Sequence, residues 1–225
     1  MSDTKLSSEE ESAAPHEQKK ATPFPVRVSS EEVNHLPRGQ YEGDIVLVTS
    51  DEAMLEVLPI LQGEPILGFD TETRPAFRKG QSYLPSLLQL GAANAVYIFQ
   101  LQKIKQLDRL FTVLENPKVQ KVGVAIEFDI RMLKKIQDFN PQGFLNLEEL
   151  TDSVGIENNG LRKLTAIVLG FRISKGSQRS NWANEVLTDK QLTYAATDAW
   201  VSREMFYRLV DAGATVSTKS DEASS

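Results

Sequence analysis

Cysteine is absent from the 225 residues, which removes disulfides, zinc-thiolate sites and thiol nucleophiles together and fits a reducing compartment. Histidine is scarce as well. The two that occur, His16 and His35, stand in polar stretches without a ligand-like neighbour, so neither is assigned a role as base or metal ligand. No stretch approaches ~18 consecutive apolar residues and the N-terminus has no apolar signal core, which excludes a membrane partner and predicts a soluble, cytoplasmic protein. Excess positive charge is also missing. With a formal net charge of -6, the chain cannot rely on bulk attraction to phosphate, so any contact with a polyanion has to be local or carried by a bound cation.

What remains is enough chain for one sizeable core, since domains usually run to ~100 to 200 residues. Residues 1–22 are rich in Ser, Glu, Lys and Ala and hold almost no large apolar side chains, so they are predicted to be a disordered tail. Residues 214–225 have the same character, which leaves a single folded domain over residues 23–213.

Within that domain short β-rich runs alternate with helical patterns. Ile45 to Val48 is a strand, and Ser50 caps a helix whose first turn is acidic. Ile66 to Glu72 is the next strand, followed by an antiparallel hairpin of Leu84 to Leu90 and Ala95 to Phe99. A helix with one buried stripe follows over Ile104 to Leu114, then a strand at Val119 to Val124 leading into a helix at Phe128 to Ile136. An extended piece at Phe144 to Leu147 precedes helices near Leu150 to Val154 and Leu161 to Leu169, the latter ended by Gly170. Thr188 and Gln191 form a capping box that opens a helix running to about Asp211, with Gly213 just beyond. This alternation predicts an α/β layer fold.

The chemistry sits on a few of these elements. In the strand LGFDTE, Gly68, Asp70 and Glu72 share one face and Leu67, Phe69 and Thr71 the other, because side chains alternate along a strand. Two carboxylates ~5 Å apart repel by roughly 3 kcal/mol at an effective dielectric of ~20. A divalent cation such as magnesium or manganese would relieve that repulsion. An Asp-x-Glu arises by chance about once in ~300 residues, so the pair alone reads as a strand end facing solvent. Its weight comes from what lies downstream. Asp129 falls at a strand-to-helix junction, where α/β proteins place ligands. Tyr194 and Asp198 stand four apart on one face of the last helix, among Ala195, Ala196 and Ala199, whose small size lets the helix lie close against a sheet.

Asp70 with Glu72, then Asp129, then Tyr194 with Asp198 resemble, in that order, the three motifs of the DEDD 3'-5' exonucleases. Tyr four residues before the last Asp marks the Tyr subclass; the His subclass would carry its histidine where this chain has Thr193. The similarity runs on through SLLQLG at Ser86 to Gly91, GLRKL at Gly160 to Leu164 and SNWANEVLTDKQLTYAATDA at Ser180 to Ala199. It covers about Asp44 to Asp211 and looks like the ribonuclease D and Werner-syndrome-type exonuclease domains.

The resemblance implies a ribonuclease H-like mixed β-sheet flanked by α-helices, which hydrolyses nucleic acid from the 3' end and releases nucleoside 5'-monophosphates. Its partner would be single-stranded DNA or RNA with a free 3' end, and its cofactors two divalent ions, Mg2+ or Mn2+. Asp70 would bridge the ions, Glu72 and Asp198 would complete the first site, and Asp129 would support the second through water. Tyr194 would orient the attacking water. One departure stands out: proofreading domains commonly carry Asn four residues before the second Asp, where this chain has Ala125. Thr71, Arg74, Gln89, Lys175 and Arg179 lie in or beside the motifs and are candidate substrate contacts, with solvated surface charge the competing reading for each base and sheet polarity the equal alternative for Gln89. Trp182 and Trp200 read as packing residues. Two rivals on the same fold are a catalytically silent nucleic-acid-binding module, usually marked by a lost carboxylate, and a ribonuclease H-like endonuclease, which lacks the Tyr motif.

Overall fold

The computed structural model describes residues 23–216 apart from Phe77 and Lys79. The predicted N-terminal tail, residues 1–22, and residues 217–225 of the predicted C-terminal tail lie outside the described residues. Six strands, β1 (Asp44–Val48), β2 (Ile66–Glu72), β3 (Leu87–Gly91), β4 (Ala95–Gln100), β5 (Gln120–Gly123) and β6 (Phe144–Asn146), form one sheet in the order β1-β4-β3-β2-β5-β6. The hairpin predicted from sequence is present, with β3 antiparallel to both β2 and β4. β1 on β4, β5 on β2 and β6 on β5 are parallel, so the sheet is mixed. β3 begins three residues later than its apolar run because Pro85, which has no N–H for the ladder, precedes it.

Helices α2 (Asp51–Gly63), α3 (Leu107–Glu115) and α4 (Glu127–Lys134) bury Met54, Phe111 and Leu133 against Leu67, Phe69 and Leu90 on one sheet face. On the other face lie α5 (Leu147–Ser153), α6 (Leu161–Leu169) and α7 (Asp189–Asp211), packed over Ile66, Val122, Leu87 and Ile98. Strand alternation therefore sorts β2: its Leu67 and Phe69 go to the α2–α4 layer and its Ile66, Gly68, Asp70 and Glu72 to the α5–α7 layer. Among the described helices none is long and apolar enough to cross a membrane.

The position of α7 is set by two glycines. Gly68 of β2 and Gly91 of β3 are register partners, and α7 crosses directly over them. A Cβ at Gly68 would stand 1.9 Å from the carbonyl oxygen of Ala199. Ala195, Ala196 and Ala199 are fully buried in the same contact, as their size predicted. Overpacking usually costs ~1 to 3 kcal/mol. Here the obstruction is backbone, so Gly68→Ala is expected to cost roughly 3 kcal/mol and lower the melting temperature by roughly 6 to 12 °C. A thermal melt indistinguishable from wild type would mean that α7 does not rest on this strand.

One helix was not predicted. Ser30–His35 forms α1, capped by Ser29 with Glu32 in a capping box, within what reads from sequence as a polar stretch. The cap signature was legible, but six residues with a single buried side chain, Val33, carry no apolar periodicity. At the other end, Ala214 is buried and its N–H bonds to the carbonyl of Leu209, so packing runs past Gly213.

Candidate active site

Asp70 and Glu72 sit at the C-terminal end of β2, and α7 brings Asp198 down onto the same face. One carboxylate oxygen from each of Asp70, Glu72 and Asp198 lies within 4.8 Å of the others, a spacing that can hold a metal ion. Glu72 and Asp198 are buried, while Asp70 keeps part of its surface open to a cavity of about 470 Å³. The same cavity is lined by Thr71, Lys175 and Tyr194.

Among the described residues no base forms an ion pair with this group. Burial first, then the charges of Asp198 and Asp129, push Asp70 well above the ordinary carboxylate range. Glu72 moves the same way, through burial and then the charges of Asp70, Asp198 and Asp129. Asp198 is pushed up to about 7 by burial, held back by the neighbouring Tyr194 hydroxyl. Its Oδ1 is buried with no hydrogen-bond partner among the described residues, a costly arrangement for a carboxylate unless a cation completes it. The residues present therefore fit a divalent metal.

These shifts predict a pH dependence. A carboxylate whose folded pKa lies above its unfolded value favours folding fully below the unfolded value and loses that contribution as pH rises through the folded one. For Asp198 the window runs from the ordinary Asp range to about 7. Each proton held only by the folded state is worth about 1.4 kcal/mol per pH unit, or roughly 3 to 6 °C in melting temperature for a domain of this size. The metal-free protein is thus expected to melt higher at pH 5.5 than at pH 7.5. Saturating manganese should reverse the trend, because metal competes with protons for the same oxygens. Lys121, buried on β5 with its pKa lowered to about 8, acts in the opposite sense and chiefly above this window. A metal-free melting curve that rises with pH between 5.5 and 7.5 would show the three acids to be ionised and accommodated without a cation.

Asp129 reaches the site from the opposite layer, on the first turn of α4. Its Oδ1 accepts a 2.5 Å hydrogen bond from the Thr71 hydroxyl, and burial raises its pKa against that bond. It stands outside the three-carboxylate cluster, yet its charge is felt at Asp70 and Glu72. Thr71 was read as a substrate contact; the structure also gives it the job of holding Asp129. Just before α4, Ala125 is the one described non-glycine residue with positive φ, 56°, and its N–H is held by the Asn146 side chain. Asn tolerates that conformation better than Ala.

Tyr194 lines the cavity, its ring 5.8 Å from that of the buried Trp182. Burial, followed by the charges of Asp198, Glu72 and Asp70, raises the phenol above its ordinary pKa, so the hydroxyl keeps its proton at neutral pH.

The remaining sequence candidates separate. Lys175 lines the acid cavity. Arg74 lies over the Tyr83 ring at 3.8 Å, outside the cavity wall, and exposed Arg179 is likewise not part of it. Gln89 is corrected: it is fully buried opposite Asp70 in the β2–β3 ladder, beneath the site, and offers no surface to a substrate. Its polar side chain in SLLQLG looked available because sequence does not show that α7 covers this face. Sequence reasoning missed Ser30, Val33, Asn159 and Arg162, which also line the acid cavity. The GLRKL motif was the one available signal for the last of these.

A mixed sheet that presents converging carboxylates at a strand end, with a tyrosine and an aspartate supplied by a helix across it, defines a metal-dependent hydrolase site. Residues 45–213 match the 3'-5' exonuclease family, and the chain belongs to it. Ribonuclease D of Haemophilus influenzae is 30% identical over 72% of this chain, and the mouse bifunctional 3'-5' exonuclease/ATP-dependent helicase WRN is 29% identical over 81% of it. The chain spans 41% and 14% of those two relatives. The crystal structure of the Aedes aegypti Nibbler EXO domain superposes with a TM-score of 0.71 at 27% identity, covering 77% of this chain and 92% of that one. The fold is accordingly the ribonuclease H-like fold expected from sequence.

Proposed function

We propose that the chain hydrolyses single-stranded nucleic acid from its 3' end, one nucleotide at a time, with two divalent ions, Mg2+ or Mn2+. The observation that carries this reading is the cluster of Asp70, Glu72 and Asp198 around an Asp198 oxygen that has no partner among the described residues, at the wall of an open cavity. Asp70, Glu72 and Asp198 would hold one ion, and Asp70 with Asp129 the other, Asp129 being aimed by Thr71. The ions supply an activated water and charge stabilisation for the departing 3' oxygen. Water oxygen bonds to phosphorus, the bond from phosphorus to the 3' oxygen of the preceding nucleotide breaks, and a nucleoside 5'-monophosphate leaves. Tyr194, protonated at neutral pH, orients the attacking oxygen as a hydrogen-bond partner and not as a base.

A 5'-labelled single strand incubated with the protein and manganese should shorten as a ladder of single-nucleotide steps and stay intact in excess chelator. A circular single strand should survive. Cutting of the circle would replace the proposal with an endonuclease, and equal ladders in chelator would remove the metal from it.

A further inference from the structure

Residues 24–41 precede the stretch matched by the exonuclease family, yet they are tied to the domain along their length. Phe24 and Val33 are buried. The carbonyl of Val26 accepts from the N–H of Glu157, and the N–H of Val28 donates to the side chain of Asn158. Arg172 donates its N–H to Pro37 and accepts from Gly39, and the N–H of Tyr41 bonds the Thr197 hydroxyl on α7 at 3.0 Å. Gly39 lies flat against Phe171, where a Cβ would come within 2.4 Å of the ring, and that ring stacks on Trp200 at 5.8 Å and 17°. The segment is a belt fixed in place, and its crossing point is beside the acids.

There it builds the wall of a second cavity, about 580 Å³, that shares Ser174, Tyr194 and Asp198 with the acid cavity. Arg38, from the belt, and Lys190, from the first turn of α7, bring two positive charges to it, beside the carboxylates of Asp189 and of Asp198, the latter part of the proposed metal cluster. Both bases are exposed, and among the described residues no hydrogen bond or ion pair engages the Arg38 guanidinium. A third cavity continues from Arg38, Gly39 and Gln40 to the edges of Phe171 and Trp200, with the exposed carboxylate of Glu42 also on its wall. The acid site thus opens along the belt into a groove where, among the described residues, no ion pair engages Arg38 or Lys190. In a chain of net charge -6, two exposed cations next to the acids are a place where a local phosphate contact can form.

Resting on the exonuclease reading, we propose that this groove holds the substrate strand upstream of the bond to be cut, with Arg38 and Lys190 each binding a backbone phosphate. Arg38 presents a planar fork suited to phosphate oxygens and Lys190 a point charge. Such contacts set the strand's register without reading its sequence. The belt would thereby make the enzyme favour strands long enough to cross it over the shortest substrates.

The test uses the full chain with manganese, on an Asp70→Asn background that allows binding to be read without cleavage, and a labelled oligothymidylate of eight nucleotides. Affinity is measured by fluorescence anisotropy over a range of salt. Each lost phosphate contact on a single strand lowers the slope of log affinity against log salt by ~0.7. Arg38→Gln should reduce the slope by that amount and weaken binding about tenfold. Arg38→Lys should retain the slope, and Arg38→Gln combined with Lys190→Gln should lower it by ~1.4. With Asp70 intact, Arg38→Gln should also lower the ratio of kcat/KM for the eight-nucleotide strand to that for a dinucleotide. An unchanged slope, a lysine variant as weak as the glutamine one, or an equal loss on long and short substrates would overturn the groove. If Arg38→Gln melts below wild type, Lys190→Gln on the α7 surface carries the same slope test. Wild-type protein that shows the slope difference but cuts no strand would sink the exonuclease reading and leave the groove; cutting without a slope difference does the reverse.

Discussion

Asp70→Asn is expected to lower hydrolysis by at least about 10³-fold while raising the melting temperature of the metal-free protein. Both effects have one cause. Asp70 stands among Asp198, Asp129 and Glu72 with no counter-charge among the described residues, so removing its charge relieves repulsion in the folded state and takes away the ligand shared between the proposed ions. Wild-type protein at ~100 times the dissociation constant for manganese should gain about 2.7 kcal/mol, or about 5 to 11 °C for a domain of this size. Asp70→Asn should lose most of that gain. Melting both proteins with and without manganese, beside an activity assay, checks all three expectations; an equal response of the two to the ion would place the site elsewhere.

Tyr194→Phe is the second large effect. The substitution keeps the ring against Trp182 and removes only the hydroxyl, which lies next to Asp198. Orienting and proton-handling roles are worth ~10² to 10⁴-fold. Turnover should fall within that range while manganese still stabilises the protein and the strand still binds. Because the phenol keeps its proton at neutral pH, the variant should retain the wild-type shape of the pH-rate profile near pH 7, with the loss appearing as a constant factor. Wild-type turnover in Tyr194→Phe would make this residue a packing tyrosine, and a profile that changes shape would make it a base.

Much of the site was legible because its spacings are local. A strand alternates with period two, so Asp70 and Glu72 had to share a face; a helix repeats every 3.6 residues, so Tyr194 and Asp198 had to be neighbours. β2 and α6 have the bounds read for them, and α7 begins at its predicted capping box. Short elements escaped this logic. α1 offers one buried residue, too little for a period, and β3 lost its first residues to Pro85.

Charge was the least readable property of individual residues. Arg74, Lys175 and Arg179 look alike in sequence, yet only Lys175 lines the acid cavity, and Arg38 was passed over because nothing near it in sequence belongs to a motif. Gln89 misled for the complementary reason, since a polar residue in a strand is assigned to a surface until the covering layer is known.

By itself the sequence determined which residues lie on one face of one element, the alternation of elements, and the family to which that order belongs. Only the tertiary structure decided which faces meet. Gly68 and Gly91 leave room for the backbone of α7 to descend onto the sheet, and that approach carries Asp198 to within a metal's reach of Asp70 and Glu72. Asp129, coming over the sheet end from the other layer, is held by Thr71 and stays outside that cluster. Periodicity is a property of neighbouring residues, whereas convergence is a property of packing, and here it turns on the absence of two side chains.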